Sequence, residues 1–307
     1  MPRILAGTIA LFGLLSAAAH AEPPKVLATI KPLHALAASV MNDVGKPGLL
    51  LRATASAHTY ALKPSDVQAM QKADLIFWIG PDYESFMAKS MRTLPKSARV
   101  LQMSKIPGVT LLATREGGVW EEEDHGRGHD HDEGEDDMHL WLDPINAKAI
   151  LAAMSEALGR ADTANAARYA ANATAAAAEI DALDAELAAK LAPLKDKSFI
   201  VFHDAYQYYE KRYGLSAAGS ITVTPDRVPG PRRLSELRKK ITDQGALCVF
   251  SEPQFTSGLV GTVLSGTKAR GGVLDPLGAA APEGPGGYAG LMRDIANGLS
   301  SCLLSAS

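Results

Sequence analysis

The stretch DTANAARYAANATAAAAEIDALDAELAAKL, residues 162–191, decides how the chain is organised. It contains no glycine or proline and is dominated by alanine, the residue that enters a helix at the least cost. Tyr169, Ala173, Ala176, Ile180, Leu183, Leu187 and Leu191 recur at spacings of four and three, which makes one stripe along one helix face. Asp162 suits the N-cap and Pro193 suits the stop. One helix over this stretch, rising 1.5 Å per residue, is a rod of about 45 Å. A break near Asn172 would instead give two shorter helices.

On both sides of the rod, short apolar runs alternate with helical patterns. The runs at 26–30, 75–79, 100–103, 199–202 and 247–250 are continuously apolar, as expected of strands buried on both faces. Helical patterns at 33–41, 64–72, 205–213 and 234–244 lie between them. This alternation predicts an α/β fold with mostly parallel sheets flanked by helices. The expected plan is an N-terminal lobe over 22–160, a linking helix over 161–193 and a C-terminal lobe over 194–307. A single long helix between lobes is a stiff connector, so any lobe motion is expected to be small.

The chain of 307 residues is 47% hydrophobic and 21% charged, the balance of a soluble globular protein. A net charge of -3 gives no reason to expect a nucleic-acid partner. Residues 1–21 read as a signal peptide: Arg3, an apolar run over 4–15, then the small-x-small site Ala19-His20-Ala21. The alternative, a membrane anchor, needs a run of about 20 residues. The mature chain is therefore expected to start near Glu22, outside the cytoplasm. Two cysteines, Cys248 and Cys302, read in an oxidising compartment as one disulfide, with buried thiols or a thiolate metal site as alternatives. Closing so long a loop is worth roughly 3–4 kcal/mol in the chain-entropy picture.

One segment breaks the pattern. Residues 121–137, EEEDHGRGHDHDEGEDD, hold ten acidic residues, one arginine and the histidines His125, His129 and His131. With nothing apolar to bury, an acidic loop over 117–137 is expected to be disordered, and its histidines suit a weak auxiliary metal site.

Four other histidines belong to the mature chain, and three sit in suggestive places. His58 follows an apolar run and precedes the helix signal Lys63-Pro64-Ser65-Asp66; His139 opens His139-Leu140-Trp141-Leu142-Asp143-Pro144; His203 ends an apolar run. Ligands of open α/β sheets gather beyond the carboxyl ends of strands. Asp275 ends another apolar run. Three imidazoles and one carboxylate suit tetrahedral Zn²⁺, whereas manganese takes more oxygen ligands. Singly, each histidine reads more readily as a structural residue. His34, inside an early helix, is expected to pack or cap locally, and Trp141 and Tyr206 to form cleft wall or core.

Together these segments resemble the ZnuA family of zinc-uptake solute-binding proteins. The resemblance runs through Thr29-Ile30-Lys31-Pro32-Leu33-His34, His58-Thr59-Tyr60-Ala61-Leu62-Lys63-Pro64-Ser65-Asp66, Ala73-Asp74-Leu75 on to Trp78-Ile79-Gly80-Pro81, Met138-His139-Leu140-Trp141-Leu142, Phe202-His203-Asp204-Ala205-Tyr206, Ser251-Glu252-Pro253-Gln254-Phe255 and Leu274-Asp275-Pro276-Leu277-Gly278. It implies two α/β lobes joined by a long rigid helix, with zinc in the cleft between them. It implies His58, His139 and His203 as ligands, Asp275 as the fourth unless solvent takes that place, and a Cys248–Cys302 disulfide. The implied function is a periplasmic binding protein, not an enzyme, that delivers Zn²⁺ to an ABC permease with a cytoplasmic ATPase. A monomer is expected, with periplasmic zinc chaperones as further partners.

Two other functions compete. An exported zinc hydrolase could use the same three histidines with Glu252 as base, although no His-Glu-x-x-His helix is present. A metal-binding surface adhesin of the same fold is expected to carry a lipid-anchoring cysteine at the cleavage site, where this chain has Ala21-Glu22.

Overall fold

The first apolar run becomes strand β1 (Val26–Ala28), buried along its length, and leads into helix α1 (Lys31–Val40). Pro32 stands in the first turn of α1, where a missing N–H leaves no helical bond unmade. Then come β2 (Gly48–Leu49), α2 (Pro64–Lys72), β3 (Leu75–Trp78), the short α3 (Ala88–Met91) and β4 (Arg99–Gln102). The four strands form a parallel sheet in the order β2-β1-β3-β4. A small antiparallel ribbon follows, β5 (Leu112–Ala113) paired with β6 (Asp136–Asp137). The computed structural model describes residues 22–52, 54–115, 136–222, 225, 229–255 and 258–305.

Two long helices, α4 (Pro144–Ala161) and α5 (Ala166–Leu191), lead to the second lobe. There, β7 (Phe199–His203), α6 (Gln207–Tyr213), β8 (Gly219–Thr222), α7 (Pro231–Asp243), β9 (Cys248–Ser251), α8 (Gly258–Leu264) and β10 (Arg270–Val273) alternate, and α9 (Gly287–Leu304) ends the fold. The second sheet is also parallel, in the order β10-β9-β7-β8. Two lobes of parallel sheet joined through a long helix is the fold class that the sequence predicts.

The rod is α5, 26 residues long and about 39 Å at helical rise. Its buried residues are Tyr169, Ala173, Ala176, Ile180, Leu183, Leu187 and Leu191, the stripe read from the sequence. Burying each of its larger aliphatic side chains contributes about 1.5–3 kcal/mol. The helix begins later than expected, because Asp162 caps a 3-10 turn over Thr163–Asn165 and also accepts the Tyr169 hydroxyl at 2.9 Å. No break occurs at Asn172, whose amide donates to the carbonyls of Val40 at 3.0 Å and Asn42 at 2.7 Å. With α1, α4 and α9, the helix packs into a hydrophobic core that continues from one lobe to the other.

Cys248 on β9 and Cys302 on α9 form a disulfide across 54 residues of sequence. Residues 1–21 and 116–135, with His125, His129 and His131, lie outside the described residues. The expected disorder does not extend to the end of the acidic segment: Asp136 and Asp137 form β6, and Asp137 is buried. Among the described residues, no helix is long and apolar enough to cross a membrane.

Candidate metal centre

His203 is the last residue of β7, at the carboxyl end of the second sheet. His139 follows β6 and leads into a 3-10 turn over Leu140–Leu142. His58 lies in the connection from β2 to α2. The fold brings the three rings together, with centroids 5.1 Å apart for His139 and His203, 5.6 Å for His58 and His203, and 5.8 Å for His58 and His139. One ring nitrogen of each lies within 4.8 Å of the others, and among the described residues this is the only such group of three or more His, Cys, Asp or Glu side chains.

Hydrogen bonds behind two of the rings decide which nitrogens face inward. His139 Nδ1 donates to Asp137 Oδ1 at 2.8 Å, and His203 Nδ1 donates to Glu252 Oε1 at 2.8 Å. A carboxylate only accepts, so each Nδ1 carries its hydrogen and each Nε2 of a neutral ring presents a lone pair. These two Nε2 atoms stand 3.2 Å apart. Two nitrogens, each ~2.0–2.1 Å from a tetrahedral zinc ion, are about 3.3 Å apart. The third nitrogen, His58 Nε2, is buried without a hydrogen-bond partner among the described residues. Three convergent lone pairs of this kind suit a cation.

The electrostatics differ from ring to ring. Burial, with help from the neighbouring His203 and His139, pushes the His58 imidazolium down to about 2. Burial also opposes a charge on His203, but the Glu252 carboxylate more than offsets it and raises its pKa above the ordinary imidazole value. Asp137 and Glu252 are 4% and 3% exposed, and each keeps one buried oxygen without a partner among the described residues. Two buried carboxylates behind the rings suit this place to a cation.

Comparison with known proteins places this geometry in a family. The family model described as "ZnuA: Zinc-uptake complex component A periplasmic" matches residues 26–302. The chain belongs to the ZnuA family. The high-affinity zinc uptake system protein ZnuA of Brucella abortus (strain 2308) is 46% identical over 319 residues, covering 95% of this chain and 96% of its own. The protein of the same name from Yersinia pestis is 35% identical over 303 residues, covering 95% and 93%. Among solved structures, the periplasmic zinc binding protein TroA from Treponema pallidum shares the fold with a TM-score of 0.78 at 21% identity, covering 92% of this chain and 99% of its own.

In this ZnuA-family chain Asp275 stands outside the three-histidine group. Its Oδ1 accepts from Gln254 Nε2 at 2.8 Å and from the Leu277 N–H at 2.9 Å, and its Oδ2 accepts from the Ala279 N–H. The turn after Asp275 supplies two backbone donors, so the carboxylate closes its own loop. His34 also keeps out of the site and bonds the Pro47 carbonyl through Nε2 at 3.1 Å, the local role expected of it.

Sequence reasoning missed several residues around the rings. Asp137 is hidden inside a run of acids, and no local pattern assigns Glu252 its place behind His203. Tyr83 meets His58 and His139 edge-on, at 5.1 and 5.4 Å. The adjoining Glu84 is fully buried and accepts from the N–H groups of Ile79 at 3.0 Å and Gly80 at 2.9 Å and from the Thr29 hydroxyl. Burial wins over these bonds and pushes its carboxyl up to about 7. Gly80 is required in this turn: its φ is +154°, and a Cβ there would lie 2.8 Å from Gln102 Nε2. Trp141 backs His139 at 5.3 Å and donates from Nε1 to the Pro276 carbonyl of the second lobe at 2.8 Å.

Proposed function

We propose that this chain holds Zn²⁺ between its lobes through Nε2 of His58, His139 and His203, and delivers the ion to an ABC permease powered by a cytoplasmic ATPase. The observation that carries this reading is the convergence of those three nitrogens, two of them oriented by buried carboxylates. Neutral imidazoles favour zinc over oxygen-seeking manganese. His58 and His139 come from the first lobe and His203 from the second, so a bound ion clasps the lobes and adds its binding free energy to the closed arrangement. Solvent is favoured over Asp275 for the fourth position, because Asp275 stands outside the three-histidine group and its oxygens already accept from Gln254, Leu277 and Ala279. Glu252, the base a hydrolase needs, is engaged by Nδ1 of His203; this favours transport over catalysis. The chain acts as a monomer after loss of residues 1–21. His125, His129 and His131 serve as a weaker collecting site, and periplasmic zinc chaperones are further partners.

Metal analysis and calorimetric titration of the purified protein test this reading. One tight zinc site is expected, with manganese bound much more weakly. His58→Ala, His139→Ala and His203→Ala should each weaken zinc binding by more than ~100-fold, beyond the usual cost of losing a supporting residue. Zinc affinity indifferent to all three changes would remove the site, and a preference for manganese would remove the cargo. Deleting 121–135, which spares Asp137, should abolish any second, weaker zinc; unchanged stoichiometry would overturn the collecting role.

A further inference from the structure

The turn that follows His203 is tied to the first lobe by a set of bonds that lie outside the three-histidine group. Asp204 comes directly after His203, and α6 begins three residues later. The first turn of α6 lies against the ribbon of β5 and β6. The Tyr208 hydroxyl accepts from the Leu112 N–H at 3.0 Å and donates to the Asp137 carbonyl at 2.6 Å, so it touches both ribbon strands. Gln207 Nε2 donates to the Ala113 carbonyl at 3.1 Å.

Arg115, two residues beyond β5, completes the attachment. Its Nε donates to Asp204 Oδ2 at 2.9 Å, and its Nη2 donates to Asp204 Oδ1. The same guanidinium reaches Glu210 on α6, from Nη1 to Oε2 and from Nη2 to Oε1, both at 3.0 Å. Glu210 is 4% exposed, and its Oε2 also accepts the Ala217 N–H at 2.9 Å. A planar fork engaged by two carboxylates fixes direction as well as distance, which a lysine ammonium cannot reproduce.

Followed through the chain, these bonds close a ring. It runs from His203 to Asp204, across to Arg115, back along β5, over to β6, through Asp137 to His139, and home across the 3.2 Å between the two Nε2 atoms. We propose that Arg115 is a positioning residue for zinc retention: by locking the β7–α6 turn of the second lobe to the ribbon of the first, it sets the separation of His203 from His139. This rests on the reading that the three histidines hold zinc.

The test compares wild type, Arg115→Lys, the double variant Arg115→Ala/Glu210→Gln, and Arg293→Lys as a control. Arg293 pairs with Glu186 on the surface, far along the chain from the site residues. The double variant neutralises Glu210, the more deeply buried of the two carboxylates that Arg115→Ala alone would leave uncompensated. Two quantities are read: zinc release to a chromogenic chelator, and the visible absorption of Co²⁺ bound in place of zinc, which reports ligand geometry. Both Arg115 variants are expected to release zinc about 10-fold faster or more, the scale seen when a residue supporting a metal ligand is lost. Their cobalt bands are expected to shift in energy or intensity, while the control matches wild type. Release within twofold of wild type would overturn the proposal. Faster release with an unchanged cobalt spectrum would also overturn it, since Arg115 would then act on the fold alone. If wild type itself takes up no cobalt or zinc at the histidines, the failure belongs to the metal-site reading and not to Arg115.

Discussion

The two lobes share one architecture but secure their histidines by different means. In the first lobe, His139 is held by Asp137, two residues back on the same stretch of chain. In the second, His203 at the end of β7 is held by Glu252, 49 residues further on and just past the neighbouring strand β9. That strand is also stapled to α9 by the disulfide. The first arrangement needs only the local chain to be folded. The second needs β7 and β9 to be paired in register, so the inward-facing nitrogen of His203 reports the integrity of a whole sheet.

The largest expected effect comes from removing the staple that only the second lobe has. Cys248→Ser/Cys302→Ser should lose roughly 3–4 kcal/mol of stability in urea unfolding, from the loop closed across 54 residues. Zinc binding should weaken with it, through Glu252. An unchanged unfolding midpoint would break the link between staple, sheet and ligand.

Replacing the two carboxylates should separate the two arrangements. Glu252→Gln and Asp137→Asn should each reduce zinc affinity by about 10–100-fold. Their pH profiles should differ. Where His203 holds the ion as proposed, zinc displaces a proton from it, and its pKa is raised above the ordinary imidazole value despite burial, chiefly by Glu252. Wild-type affinity should therefore already be falling as the pH drops towards the ordinary imidazole range, and should continue to fall below it. His58, with its pKa pushed down to about 2, adds no proton competition near neutrality. Glu252→Gln removes the main charge that raises His203 and should move the fall to lower pH, while Asp137→Asn moves it less. Titrations from mildly acid to mildly alkaline pH measure this, and coincident profiles for the two variants would contradict the distinction.

The smallest effect is expected at Asp275. Its oxygens serve Gln254, Leu277 and Ala279, so Asp275→Asn should leave zinc affinity within about threefold of wild type, or ~0.7 kcal/mol. A loss on the scale of the histidine variants would make Asp275 the fourth ligand after all.

Which elements the sequence revealed follows from where they lie. The strands read in advance include all four interior ones, β1, β3, β7 and β9, because burial on both faces leaves a continuous apolar run. The sheet strands it missed, β2, β8 and β10, are all edge strands. β10 reads Arg-Gly-Gly-Val, with Gly272 in place because a Cβ there would lie 2.5 Å from the Phe250 ring. Nothing in that string suggests a strand until Phe250 is known to lie beside it. The three histidines were legible as a group only because several motifs resembled one family, since none of them is close to another in sequence.

What the sequence determined by itself was what depends on neighbours along the chain: the α5 rod and its stripe, the interior strands, and a local role for His34. A helical period or an apolar run carries its own signal, because the partners that enforce it are a few residues away. The tertiary structure alone decided that Glu252 stands behind His203, that Asp275 turns into its own loop, and that Arg115 spans to Asp204 and Glu210. A carboxylate or guanidinium bonds whichever group of opposite character lies within about 3 Å, and which group that is depends on strand register and turn geometry that no local pattern encodes.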